Sequence, residues 1–126
     1  MDSQILEKKI IVIDFDGTLC KFAFPEVGAP EPGVRKALET LRNMGYHIKI
    51  HSCRTATYWK SQNRETHILL MVNFLEENKI PYDEIILDVD KPIAEFYIDD
   101  RAIPYNGSWL EVITEIQRKE ESQIKY

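Results

Sequence analysis

Cysteine is scarce: Cys20 and Cys53 are the only two in 126 residues, and they form neither a C-x-x-C pair nor part of a Cys/His ligand pattern. That argues against a structural zinc site, and reduced thiols in a cytoplasm are the simpler reading. No apolar run approaches the roughly 20 residues that span a bilayer. The polar start MDSQILEKK is unlike a signal peptide. Positive charge is not in excess either. At a net charge of -5 the chain lacks the lysine and arginine surplus with which non-specific nucleic-acid and membrane binders offset phosphate. Internal repeats, low-complexity tracts and linkers are missing as well. What is left is one domain over 1–126, whose 44% hydrophobic residues suffice for a core without disulfides or metal.

Two hydrophobic periods alternate along the chain. Residues 9–13 are apolar after their lysine, as in a strand covered on both faces. Pro32-Gly33 opens a helix with Val34, Ala37, Leu38 and Leu41 on one side, and Gly45 ends it. A strand follows over 46–51, then a helix over 60–78 with Ile68, Met71, Val72 and Leu75 on its inner face. Pro81 precedes a short strand at 84–87, and 95–98 reads as a fourth. Ser108 and Glu111 form a capping box for a last helix striped with Trp109, Val112, Ile113 and Ile116. Beyond Gln117 the chain turns polar and is expected to fray, which puts the core at about 9–117. This order predicts an α/β fold: a Rossmann-like, mostly parallel sheet, three-layered or partly covered, with right-handed crossovers.

Ligands of such sheets bind at the carboxyl ends of the strands. Asp14 and Asp16 end the first predicted strand, Ser52 and Arg54 follow the second, and Asp99 and Asp100 follow the fourth. Two carboxylates one residue apart repel each other, so IVIDFDGTLC calls for a cation or a reaction that shares their charge. Carboxylates and a hydroxyl from three strand ends suit Mg²⁺, which takes oxygen ligands and commonly shares them with a substrate phosphate.

DFDGTL at 14–19, Ser52, Lys91 and Asp99-Asp100 together resemble the four motifs of the haloacid dehalogenase superfamily of phosphohydrolases. The segment PGVRKALETLRNMGYHIKIHS is similar to the family's usual helix and second strand, so the likeness spans most of 10–101. By composition alone, D-x-D-G-T arises in about one chain of this size in a thousand. The resemblance implies a single capless domain and a Mg²⁺-dependent phosphomonoesterase. Asp14 would be the nucleophile that forms an aspartyl-phosphate. Asp16 would protonate the leaving oxygen and then activate water, its carbonyl helping to hold Mg²⁺. Ser52 would bond the phosphoryl group and Lys91 would neutralise it. Asp100 would bind the metal directly, with Asp99 behind it or acting through water. Gly17 would permit the turn, Thr18 would steady it, and Cys53 and Arg54 would border the phosphate.

Competing readings stay open at several positions. Lys91 lies only eight residues before Asp99, whereas many relatives place a helix between these motifs, and a surface lysine beside a turn proline is the competitor. Arg54 reads equally as a substrate contact or a surface salt bridge. Asp88 and Asp90 are assigned to solvating a turn. His47, His51 and His67 lack ligand spacing and are taken as structural or exposed. Small buried filler is the expected role of the cysteines.

For the whole protein the alternatives are a non-catalytic phosphate-binding module and a signalling domain phosphorylated on aspartate. Within enzymes, the S-x-R at 52–54 and IDDR at 98–101 loosely resemble polynucleotide 3'-phosphatases. The acidic balance makes a small phosphate ester the expected substrate rather than nucleic acid. Neither 19–32 nor 53–91 has room for a cap. Two crossovers in one direction place both early helices on one face and leave the last helix for the other. His47, Lys49 and His51 alternate with Ile48 and Ile50, which predicts a partly bare face beside the second and third strands. The expected cover is the Ile5-Leu6 segment or a second subunit, making the protein a homo-oligomer.

Overall fold

The computed structural model describes residues 9–124. Its elements are β1 (Lys9–Ile13), α1 (Val34–Asn43), β2 (Tyr46–Ile50), a 3₁₀ turn (Cys53–Thr55), α2 (Ser61–Glu77), β3 (Glu84–Ile85) and α3 (Trp109–Ile124). β2 lies between β1 and β3 and runs parallel to both. This is the predicted α/β class, with a three-stranded parallel sheet of the Rossmann-like kind.

Register decides which side of the sheet is buried. Ile11 pairs with Ile48, Ile13 with Ile50, and Ile50 with Ile85. Because side chains alternate along a strand, these isoleucines share one face, and Ile10, Val12, His47, Lys49 and Glu84 share the other. α1 buries Val34, Ala37, Leu38 and Leu41 on the isoleucine face, as its period predicts. α3 buries Trp109, Val112, Ile113 and Ile116 in the same cluster. Its start is held by Ser108, whose Oγ accepts the Glu111 amide at 3.2 Å.

The position and length of α3 both differ from expectation. The helix packs against α1 on the isoleucine face and not on the opposite one: Tyr46, which shares the face of Ile48 and Ile50, donates its hydroxyl to Glu120. That contact, with Lys9 bridging the same carboxylate at 3.0 Å, holds the helix together beyond Gln117, so it continues to Ile124 instead of fraying. A carboxylate that accepts from a phenol and an ammonium is held below the usual range, as Glu120 is. With all three helices on one side, Ile10 and Val12 stay 47% and 55% exposed on the other. β1 is therefore not covered on both faces among the described residues. Ile5-Leu6, the expected N-terminal cover, lies outside them.

Two strands are also corrected. β3 stops at Ile85 instead of reaching Leu87, whose carbonyl accepts Arg64 Nη2 at 3.0 Å, a side chain occupying a group a neighbouring strand would use. The strand expected at 95–98 does not form. Lys91 is anchored on Asp14 and the Tyr97 hydroxyl returns to the Pro92 carbonyl, so the chain between them folds back instead of running extended along β1.

The buried stripe of α2 is His67, Met71, Phe74 and Leu75, rotated from the predicted one toward His67 and Phe74. The ILLMV run over 68–72 is apolar on nearly every side, so its period does not select a face. Neighbouring rings do. Phe74 packs edge-on against Phe15, and His67 lies 5.1 Å from Phe24 and 4.9 Å from Trp59, centre to centre. Among the described residues, His67 Nδ1 is buried without a hydrogen-bond partner. Burial foremost, then the nearby Arg54 charge, pushes its pKa below 6.5, with Asp16 opposing. The unfolded chain thus takes up this proton first as pH falls, and stability drops from about pH 6.5 downward. In His67→Phe, urea unfolding at pH 7 and pH 5 should show a smaller loss between the two than the wild type shows.

Candidate active site at the carboxyl end of the sheet

β1 delivers Asp14 and Asp16 either side of Phe15, which is fully buried and fixes the two carboxylates by its own packing. The chain then turns sharply. The amides of Thr18 and Leu19 both bond the Phe15 carbonyl, at 3.1 and 2.9 Å, and the Gly17 amide bonds Cys20 O at 2.9 Å. Gly17 has φ 80°, a left-handed conformation in which a side chain is strained. Trp109 Nε1 donates to Thr18 O at 3.1 Å and ties the turn to α3. The flap that follows closes on itself through Lys21 N to Ala29 O at 2.7 Å. Gly28 is required there, since a Cβ would stand 2.2 Å from the Lys21 carbonyl oxygen.

Asp14 is half open, its side chain 42% exposed. Lys91 Nζ donates to its Oδ1 at 2.8 Å, and Thr18 Oγ1 to its Oδ2 at 3.5 Å, the limit of a hydrogen bond. Lys91 is thus no surface lysine. Most of its side chain is buried and its ammonium is delivered to the first carboxylate of the motif.

Asp16 has a different partner. Arg54 Nε and Nη2 each donate to one of its oxygens at 2.8 Å, a bidentate pair. The same guanidinium donates to Pro25 O at 3.0 Å and Glu26 O at 2.8 Å, and packs over the Phe15 and Phe24 rings. Arg54 is 0% exposed. It is not a surface salt bridge: its nitrogens are all engaged, and it holds Asp16 and the flap.

Ser52 is buried at the start of the 3₁₀ turn, where its Oγ accepts the Arg54 amide at 3.0 Å. A hydroxyl that accepts still has its proton to donate. Cys53 points its thiol at the Lys91 and Pro92 carbonyls, 3.8 and 4.0 Å away, so it borders the site through the lysine's backbone. Cys20 is filler, as expected: fully buried, its thiol pushed up by burial and by the charge of Asp16. Asp90 does more than solvate a turn. Its carboxylate accepts both the amide and the hydroxyl of Thr57, which hold its pKa down and pin the 3₁₀ loop to the segment carrying Lys91.

Asp99 and Asp100 stand apart. Both are exposed, and Asp99 Oδ1 accepts the Arg101 amide at 2.7 Å. Among the described residues no three of His, Cys, Asp and Glu gather closely enough to hold a metal ion. The four acidic positions are therefore not one constellation here: the structure joins Asp14 to Lys91 and Asp16 to Arg54, and leaves the later pair in solvent. The fold-back of 92–97 is the reason, because the strand that was to carry them is not laid beside β1.

Tyr97 is a site residue that the sequence reading missed. Its ring lies 5.3 Å from Lys91 Nζ, and burial, then Cys53, then Asp14 push its phenol pKa up. In the sequence it is one more aromatic of an expected strand, and no local pattern marks it.

No family model and no curated protein matches the sequence. Among solved structures, the chain is similar to a conserved protein from Bacteroides thetaiotaomicron at 19% identity, over 87% of this chain and 90% of that one, with a TM-score of 0.57. That likeness shows the fold alone. It is also similar to a protein from Vibrio cholerae of known crystal structure, at 30% identity and a TM-score of 0.63. Neither protein's name states an activity. Since the second likeness covers 89% of this chain and 98% of the other, the chain belongs to one family with the Vibrio cholerae protein.

Proposed function

We propose that the protein is a phosphomonoesterase of the haloacid dehalogenase type, capless, acting on a small phosphate ester through an aspartyl-phosphate. The observation that carries this reading is the half-exposed Asp14 carboxylate, bonded by Lys91 from 77 residues away, with Asp16 clamped two positions on. A carboxylate that merely capped a strand would gain nothing from a mostly buried lysine brought that far.

Each side chain then has a step suited to its chemistry. Asp14 attacks phosphorus and the leaving oxygen departs. Lys91, already at Asp14, offsets the charge on the phosphoryl oxygens in the transition state. Ser52 donates its free proton to the same group. The leaving oxygen takes its proton from solvent, and Asp16, the carboxylate partner of Arg54, takes a proton from the water that hydrolyses the aspartyl-phosphate. Arg54 is its positioning residue. Two bonds from a buried, planar guanidinium fix the carboxylate's orientation and leave a further lone pair on each oxygen for the proton.

The oxygen donors of Asp14, Asp16, Asp99 and Asp100 suit Mg²⁺, which would supply charge stabilisation to the phosphoryl group. As arranged, they do not fit around one ion: Lys91 occupies one oxygen of Asp14, Arg54 holds both oxygens of Asp16, and the other two acids are in solvent. Mg²⁺ enters the proposal on donor chemistry alone, and no step above is routed through it.

Phosphate release from an aryl phosphate is the direct test. It should fall by at least about a hundredfold in Asp14→Asn, because an amide is no nucleophile. Turnover of Asp14→Asn within a few-fold of wild type would sink the mechanism. Arg54→Met leaves the partly buried Asp16 unpaired, which costs up to about 3 kcal/mol in urea unfolding, at the low end for a broken buried pair. The loss should be much smaller when Asp16→Asn is added, whereas additive losses would mean the pair does not act as a unit. Ile10 and Val12 on the open sheet face support a second copy as its cover, giving a homo-oligomer. Light scattering should then return a multiple of the chain mass, and a monomer at micromolar concentration with full activity would reject that part.

A further inference from the structure

A lysine places its charge badly unless something holds it. The ammonium ends a four-carbon stem, and the rotamer freedom of that stem has to be lost before the charge acts at one point. Lys91 reaches Asp14 from the stretch between β3 and α3, where the chain forms neither helix nor strand. Even so, only 16% of its side chain is exposed, and Nζ lies 2.8 Å from Asp14 Oδ1. The carboxylate does not account for this by itself. Asp14 is 42% exposed, and an ion pair that open to water contributes little.

Both ends of the lysine have further contacts. At the backbone, the Cys53 thiol reaches the carbonyls of Lys91 and Pro92, at 3.8 and 4.0 Å, and the preceding Asp90 is bound to Thr57. These fix where the side chain begins. At the other end Nζ lies over the ring of Tyr97, 5.3 Å from its centre. The face of an aromatic ring is the negative end of its quadrupole, so it attracts an ammonium, and more strongly where water is kept away. The ring is itself set by the Tyr97 hydroxyl, which donates to the carbonyl of Pro92, the neighbour of Lys91. The loop over 91–97 is therefore closed by the same side chain that meets the ammonium. With its proton committed to that loop, the Tyr97 hydroxyl is not offered to the reaction. What remains for Tyr97 to act with is its ring, and the ring acts on Lys91.

We infer that Tyr97 is the positioning residue of Lys91, its ring holding the ammonium at Asp14, where the charge of the phosphoryl group has to be offset. The inference rests on the phosphomonoesterase reading and deepens it by one residue, as Arg54 does for Asp16. Because Lys91 acts on charge that develops in the transition state, loss of the ring lowers kcat and leaves KM nearly unchanged.

Initial-rate kinetics with an aryl phosphate and with acyclic glycerol phosphate test it. Tyr97→Leu should lower kcat about tenfold on both esters, with KM changed less than about twofold, and Tyr97→Phe, which keeps the ring, should stay within about threefold of wild type. Tyr97→Gln is a second ring-less variant and should match Tyr97→Leu. On the aryl phosphate, whose good leaving group keeps the slow Lys91→Ala variant measurable, adding Tyr97→Leu to Lys91→Ala should change kcat less than about twofold. Losses that add in the double variant overturn the inference, since Tyr97 then acts through something other than the lysine. A loss confined to the aryl ester overturns it too, by placing the ring against substrate. If Tyr97→Phe falls as far as Tyr97→Leu, closure of the loop by the hydroxyl is what matters and the role of the ring is rejected. Full activity of Tyr97→Leu overturns the inference and leaves the phosphomonoesterase intact, whereas a wild type inactive on both esters removes both.

Discussion

A buried arginine organises the functional end of this molecule. Arg54 sits under the surface, and the fold bonds its three nitrogens to the two oxygens of Asp16 and the carbonyls of Pro25 and Glu26, and packs its plane over the rings of Phe15 and Phe24. Removing a guanidinium from water is costly unless charge and hydrogen bonds are returned to it. That requirement fixes three things at once: the orientation of the second motif carboxylate, the path of the flap, and the depth of the turn after β2. His67 bears part of the cost, its pKa pushed down by burial and then by the same cation, with a ring nitrogen unpaired among the described residues.

The other carboxylate is left for chemistry. Asp14 and Asp16 are two residues apart, yet the half-exposed one is bonded by Lys91 and the other by the fully buried Arg54. Like charges at this spacing would repel; separate cations divide the pair into a reactive member and an oriented one. The lysine comes from a loop that Asp90 and Thr57 pin to the turn after β2, so both cations are positioned from the same strand end.

The sheet is covered on one side only among the described residues. Three helices crowd the isoleucine face because α3 follows Tyr46 and Lys9 to the side where Glu120 can be paired. The opposite face combines Ile10 and Val12 with His47, Lys49 and Glu84, an apolar strip beside an ionic one, with His47 Nε2 2.7 Å from the glutamate.

Local rules were enough for much of this. The periods of α1 and α3 named their buried residues correctly, because amphipathic stripes separated by polar positions leave one orientation to bury. The parallel order of the first three strands followed from alternation with helices, and the polar alternation of β2 pointed to an open face beside β2 and β3 but not to the exposure of Ile10 and Val12 in β1. DFDGT and its glycine marked the turn, and Lys91 was singled out although its neighbours argued for a surface residue. Other features depended on contacts between residues far apart in the chain. Nothing near Arg54 in sequence shows that Asp16, 38 positions earlier, will draw it inward. The apolar run of α2 could not choose its own face until Phe15, Phe24 and Trp59 were in place. The strand written at 95–98 had the right residue types, but strand propensity expresses itself only against a partner edge. Here Lys91 and Tyr97 close the loop first, so tertiary structure alone decided where Asp99 and Asp100 stand.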